Sequence, residues 1–348
     1  MTPATVRATS VAVFMIVAFS ISAPSAFSQD AYICAKSAGD AGIAACTSVI
    51  ASDRWSGRDL AWAYTNRCLV YRDKGDLDRA IADCNEAIRL DPECAIAFYY
   101  RGLAHRAKGD LDHAISDYNE AIRLNPKDAA AYAGRGRAYR AKGDLDRAIA
   151  DYNEAIRLDP KLTAAYTGRG VAYADKGDFN RAIADYNEVT RLQPKLVTAA
   201  YVGRGRASLY AGNRTKALAE FSRAAELAPN DAYVALWLDI AAQRQGLASR
   251  LPQAIARIDV AAWPGPVIRL YLGQSAPDAV RAAAEDPDPL KQKSQMCEAN
   301  FYTAAYLLRR DAKTEATRLF RLAANECPKS FEEWPAAVAE LKALGAEP

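Results

Sequence analysis

Histidine is nearly missing from this chain: among 348 residues there are only His105 and His113. Each stands where the neighbouring copy of an internal repeat has Tyr or Arg, with no cysteine or carboxylate at zinc-ligand spacing. No metal site and no cofactor are therefore expected. A surplus of one charge is also missing, with 45 basic against 42 acidic residues. Without Arg7 the balance falls from +3 to +2, too near neutral to indicate nucleic acid. Only one long apolar run exists, Val11 to Ile21, in an N-terminal stretch whose single charge is Arg7. It is shorter than the ~20 residues of a spanning helix. Ala26-Phe27-Ser28 follows with small residues at the places a signal peptidase reads. Residues 1–28 thus read as a secretory signal peptide, with an uncleaved anchor as the alternative. Cys34 follows Tyr32-Ile33, which is not a lipidation site. The mature protein is expected in the periplasm, soluble, touching the membrane only through the signal peptide before cleavage.

What fills the chain instead is a unit of 34 residues. Pro92, Pro126, Pro160 and Pro194 are each one unit apart, and a looser copy ends at Pro229. Within one copy, Tyr132, Gly136 and Tyr139 lie at i, i+4, i+7, one stripe of a helix. Ala148, Tyr152 and Ala155 repeat that spacing after Gly143-Asp144. Gly closes the first helix, and Asp can accept the free N–H groups opening the second. Pro160 then ends the second, since the residue before a proline is pushed out of the α region. Gly136 costs about 1 kcal/mol in a helix relative to Ala; room for an antiparallel partner helix would compensate.

These positions carry a resemblance. Tyr64, Phe98, Tyr132, Tyr166 and Tyr201 are followed by Cys68, Gly102, Gly136, Gly170 and Gly205. Ala80, Ala114, Ala148, Ala182 and Ala217 are followed four places on by Cys84, Tyr118, Tyr152, Tyr186 and Phe221. From Ala61 to about Asp231 the chain resembles the tetratricopeptide family. The resemblance implies an all-α fold, a right-handed superhelical solenoid of antiparallel hairpins with atypical caps at both ends. The expected organisation is a half-repeat or cap at 29–60, five units at 61–231, degenerate helical repeats at 232–290, and a hairpin with a closing helix at 291–348. Ala262-Trp263-Pro264-Gly265-Pro266 is the sharpest break in the mature chain. The stretch Cys297-Glu298-Ala299-Asn300-Phe301-Tyr302 is similar to the last repeat of envelope adaptor lipoproteins that regulate cell-wall hydrolases.

Seven cysteines in an exported chain make disulfides permissible. Cys297 and Cys327 flank a helix pair turning at Arg310-Asp311. Cys68 and Cys84 occupy the small and second-helix aromatic places, which meet in this repeat. Cys34 and Cys46 flank Gly39-Asp40. Pairing these three leaves Cys94 over.

Catalytic sets are not visible. Gly134-Arg135-Gly136 lies mid-helix, not after a strand as a dinucleotide loop would. Asp83, Asp117, Asp151 and Asp185 share one repeat place, and Arg67, Arg101, Arg135, Arg169 and Arg204 another. The two should face each other across each hairpin as a structural ladder. In the family, first helices line the concave face; there we place Arg72, Tyr99, Arg106, Arg137, Arg140 and Arg206. The family's carboxylate clamp is not carried: its places hold Thr65, Tyr99, Ala133, Thr167 and Leu69, Leu103, Arg137, Val171. A basic groove still suits an acidic or extended peptide. The reading is a non-catalytic interaction scaffold that binds a protein or peptide and no nucleic acid. The rivals are an enzyme with its site in the non-periodic C-terminal third, and a structural solenoid associating through Cys94.

Overall fold

The computed structural model describes residues 29–194, 197–329, 331 and 333–347; the expected signal peptide lies outside the described residues. Among those residues there are helices and no strands. They form two compact units that part between Lys108 and Gly109.

The first unit contains α1 (Gln29–Lys36), α2 (Gly39–Ala51), α3 (Ala61–Asp73), α4 (Leu77–Leu90) and α5 (Ala95–Lys108). Helices α1 and α2 form one hairpin and α3 and α4 the next. Both are bridged where expected, Cys34 to Cys46 and Cys68 to Cys84, with Cα atoms 4.6 and 5.6 Å apart. Cys94 is the free, half-buried cysteine among the described residues.

The second unit begins with α6 (Leu111–Leu124), α7 (Ala129–Lys142), α8 (Leu145–Leu158), α9 (Thr163–Asp175) and α10 (Phe179–Leu192). It continues with α11 (Val197–Tyr210), α12 (Arg214–Leu227) and α13 (Ala232–Gln243). Short helices α14 (Leu251–Ala254), α15 (Gly265–Tyr271) and α16 (Pro277–Ala282) follow. Last come α17 (Pro289–Leu308), α18 (Lys313–Glu326) and α19 (Glu333–Ala343). The pairs α7/α8, α9/α10, α11/α12 and α17/α18 pack as hairpins; α8 packs on α9, α10 on α11, α12 on α13 and α18 on α19. No described helix is long and apolar enough to cross a membrane.

The turn between paired helices works as its residues dictate. Gly143 takes φ 85°, a left-handed conformation, and its N–H bonds the Arg140 carbonyl while that of Asp144 bonds Tyr139. Asp144 then caps α8 by accepting from the Arg147 N–H at 3.1 Å. In the last hairpin Asp311 does the glycine's work at φ 61°, and Cys297–Cys327 closes its open end, with Cα atoms 5.1 Å apart.

The core explains the Gly-Arg-Gly triplets. Tyr152 is fully buried, wedged between two glycines on different first helices. A Cβ on Gly136 would stand 3.1 Å from its ring, and one on Gly168 only 2.5 Å. The second glycine of each triplet therefore seats the ring of its own hairpin, and the first seats the ring of the hairpin before. Gly203 faces Tyr186 and Gly205 faces Phe221 in the same way. In the first unit the ring place is the small, disulfide-bonded Cys84; Tyr100 stands where the first glycine would be and packs on that cluster.

Candidate partner-binding surface

The arginine between the two glycines is committed. Arg135 grips both oxygens of Asp151, Nε at 2.8 Å and Nη2 at 2.7 Å. Its remaining nitrogen, Nη1, donates to Asn119 of α6 at 2.7 Å. Arg169 does the same with Asp185 and Asn153. Arg204 bonds Glu220, the acid at that place in its repeat, and Asn187. In the first unit Arg67 holds Asp83 in the same bidentate way. The expected ladder is thus found at these rungs, and its asparagine arm ties successive hairpins together. Burial pushes the Asp185 carboxyl above the usual range against the pull of Arg169. The bond to Asp185 in turn raises Arg169. Desolvation offsets much of the attraction, so the ladder sets register more than it adds stability.

The six residues expected on the binding face meet different fates. In the first unit, Arg72 bonds the Asp73 carboxylate and lies 5.7 Å from the Tyr100 ring centroid. Tyr99 leans on Tyr100, with centroids 5.6 Å apart. Arg106 is half-buried, its Nε without a hydrogen-bond partner among the described residues. In the second unit, Arg137 is half-buried on α7. Arg140 is paired with Asp175 at 2.7 Å, and that carboxylate is 1% exposed. Arg206 lies over the Trp237 ring, 5.3 Å from its centroid.

What covers Arg140 and Arg206 is not periodic. The closing helix α19 stacks on α18 and buries one stripe: Glu333, Ala336, Ala337, Glu340 and Leu341. Pro335 and Ala336 close a cavity of about 40 Å³ against Arg140, Asp175, Tyr186, Arg206 and others on α7, α9, α10 and α11. That space suffices for a water or two. Farther along, Glu340 accepts from Arg244, just past α13. Burial opposes the charge on Arg244, yet Glu340 outweighs it and its pKa is raised. Burial and then Glu340 push the Tyr210 hydroxyl up. At the other end of the stripe, burial, Glu333 and Glu298 push the Tyr302 hydroxyl up. Glu298 accepts from Tyr233 Oη and Trp263 Nε1, each at 2.7 Å, which ties the Trp-Pro-Gly-Pro break to α13 and α17.

Stacked hairpins with this ladder define a helical-repeat protein. The family models agree: a TPR repeat matches residues 136–177, and tetratricopeptide repeats match 67–128, 117–150 and 167–232. The chain is a tetratricopeptide-repeat protein over that region. Among curated proteins none matches the sequence significantly. Among solved structures, a tetratricopeptide repeat protein from Parabacteroides merdae is similar at 17% identity and TM-score 0.54, covering 81% of this chain and 98% of that one. PilW, a type IV pilus biogenesis factor, is similar at 19% identity and TM-score 0.54, covering 62% and 95%. These likenesses bear on the fold alone.

Proposed function

We propose that the chain is an exported, non-catalytic interaction scaffold that holds a partner protein or peptide against its first helices in the periplasm. The observation that carries this reading is how its recurrent charges are spent. Arg135, Arg169 and Arg204 pin acids and asparagines that keep each hairpin in register with the one before. A stack held in this way presents a preorganised surface, which lowers the ordering cost of binding. The N-terminal apolar run and the three bonded cysteine pairs support an oxidising compartment outside the cytoplasm. We take the partner to be acidic on the strength of Arg137 on α7, since Arg140 is paired with Asp175 and Arg206 lies over Trp237. The test is cross-linking in the native envelope followed by identification of what is captured. Recovery of the same protein with the wild type and its loss with Arg137→Glu is the expected result. No reproducible partner, or turnover of a small molecule at enzymatic rate, refutes the proposal.

A further inference from the structure

We infer that α19 is a built-in occupant of the partner-binding face, and that the partner is a short helix of the same chemistry that takes its place. This rests on the scaffold reading above and names the partner class for that surface. Helix α19 has the form of a ligand. Its buried stripe carries carboxylates at Glu333 and Glu340, seven residues apart, with Ala336 and Ala337 between them. Acids at i and i+7 with small residues at i+3 and i+4 lie along one face of a helix. Pro335 and Ala336 line one cavity with residues of α9 and α11, and Glu340 meets Arg244. The opposite face, with Lys342 and Ala343, is exposed.

The attachment is that of a tethered competitor. The Cys297–Cys327 bridge fixes the end of α18, and α19 begins at Glu333. So short a tether holds α19 at an effective concentration on the order of a millimolar. A partner segment displaces it only if it offers Arg244 a carboxylate and the cavity a small side chain. When α19 leaves, Arg244 loses Glu340 while Arg140 keeps Asp175. The selecting contact is therefore the one at Arg244.

The test uses full-length chains and a labelled peptide of residues 329–347, read by fluorescence anisotropy. The native peptide should not bind the wild type at micromolar concentration, because the tethered helix outcompetes it. Glu340→Arg sets like charges against each other and opens the face, so this chain should bind the native peptide. Arg244→Glu also opens it, but should instead bind a peptide carrying Glu340→Arg. Each chain should prefer its matched peptide by about tenfold or more, the ratio expected for a partly buried charge contact. Ala337→Arg, which cannot fit the closed face, is a second way to open the chain should a charge variant lose its helical spectrum. Equal binding of both peptides by both chains overturns the inference, as does no binding by any opened, folded chain. A dimer exchanging α19 between copies also overturns it, since the occupant would then be the chain itself. Capture of a partner in the envelope together with failure of the peptide leaves the scaffold reading standing without this one. Peptide binding with no partner captured keeps α19 as a displaceable occupant but refutes the scaffold reading and the partner class named from it.

Discussion

Placing one methyl group at Gly168 tests the packing logic of the repeats. Gly168 lies in α9, and in an unobstructed helix Gly→Ala stabilises by about 1 kcal/mol. Here the added Cβ would sit 2.5 Å from Cε1 and Cζ of Tyr152 and 2.7 Å from its Oη. The ring is fully buried and packs on Gly136 from the other side, where a Cβ would also crowd it at 3.1 Å, so it cannot swing clear. Overpacking of this kind costs about 1–3 kcal/mol. Net of the helix gain, Gly168→Ala should destabilise by about 1 kcal/mol, rising to about 2 if the ring is held rigidly. The decisive measurement is the same change in a Tyr152→Leu background, where the obstructing ring atoms are gone. There Gly168→Ala should stabilise, and the sign reversal between backgrounds is a coupling of about 2 kcal/mol. Urea titrations followed by circular dichroism would read all four chains of the cycle. Gly168→Ala stabilising the wild type, or shifting both backgrounds equally, would show that the ring does not bridge the two repeats.

Other expectations follow from the same contacts. Asp185→Ala should cost about 3 kcal/mol by stranding the half-buried Arg169, whereas replacing both by Leu should be nearly neutral in a thermal melt; equal losses would contradict the ladder's role as a register device. Unreduced, denatured protein should show one reactive thiol, Cys94, which alkylates slowly in the folded chain because burial pushes its pKa up; three or more would refute the disulfide assignment. Reducing Cys297–Cys327 alone should cost about 3–4 kcal/mol for a loop of that size, read as a lower urea midpoint. Asp144 is held below the usual carboxylate range by the backbone N–H and then the side chain of Arg147, and Asp76 and Asp178 by the side chains and N–H groups of Arg79 and Arg181. A depressed folded pKa gives stability that is present above about pH 4 and lost as pH falls through the folded values. The melting temperature should therefore drop on acidification below about pH 4, and less steeply in Asp144→Asn, which keeps the cap without the titration; an unchanged slope would count against this cause.

Most of the hairpin design could be read from recurrence. The Pro spacing, the Gly143-Asp144 break and the facing places of Arg135 and Asp151 all follow from one local problem solved repeatedly. The asparagine arm was legible on the same grounds, since Asn85, Asn119, Asn153 and Asn187 also recur, but no local pattern says that an asparagine bonds the arginine of the following repeat. The first glycine of each triplet was hidden for the same reason, because its neighbour is a ring sixteen residues earlier in a different hairpin, as with Gly168 and Tyr152. Arg140 reads as an open-face residue because it lies on a first helix. Its environment turns on Asp175, an acid where the two preceding repeats have Ala141 and Ala107. The cavity that Pro335 and Ala336 share with α9 and α11 joins places more than a hundred residues apart, and hydrophobic periodicity carries no information at that range.

That distinction between recurrent and solitary charges bears on how such a protein selects a partner. A residue that returns with every repeat answers a need every repeat has, so the ladder arginines keep register and their chemistry is the same at each step. A surface made only of recurrent groups would offer an incoming segment several equivalent registers. Selection needs groups that occur once. Arg244, Glu298, Glu333 and Glu340 are such groups, and all belong to the second unit. Pro335 and Ala336 of α19 line a cavity together with Asp175, Glu340 meets Arg244, and the buried stripe of α19 supplies Glu333 and Glu340. On the proposed reading, one carboxylate on Arg244 fixes where a helix sits along the face, and small residues near Arg140 and Arg206 set how closely it approaches. The proposed partner is then positioned by the few places where the repeat pattern fails, on a frame held by the places where it recurs.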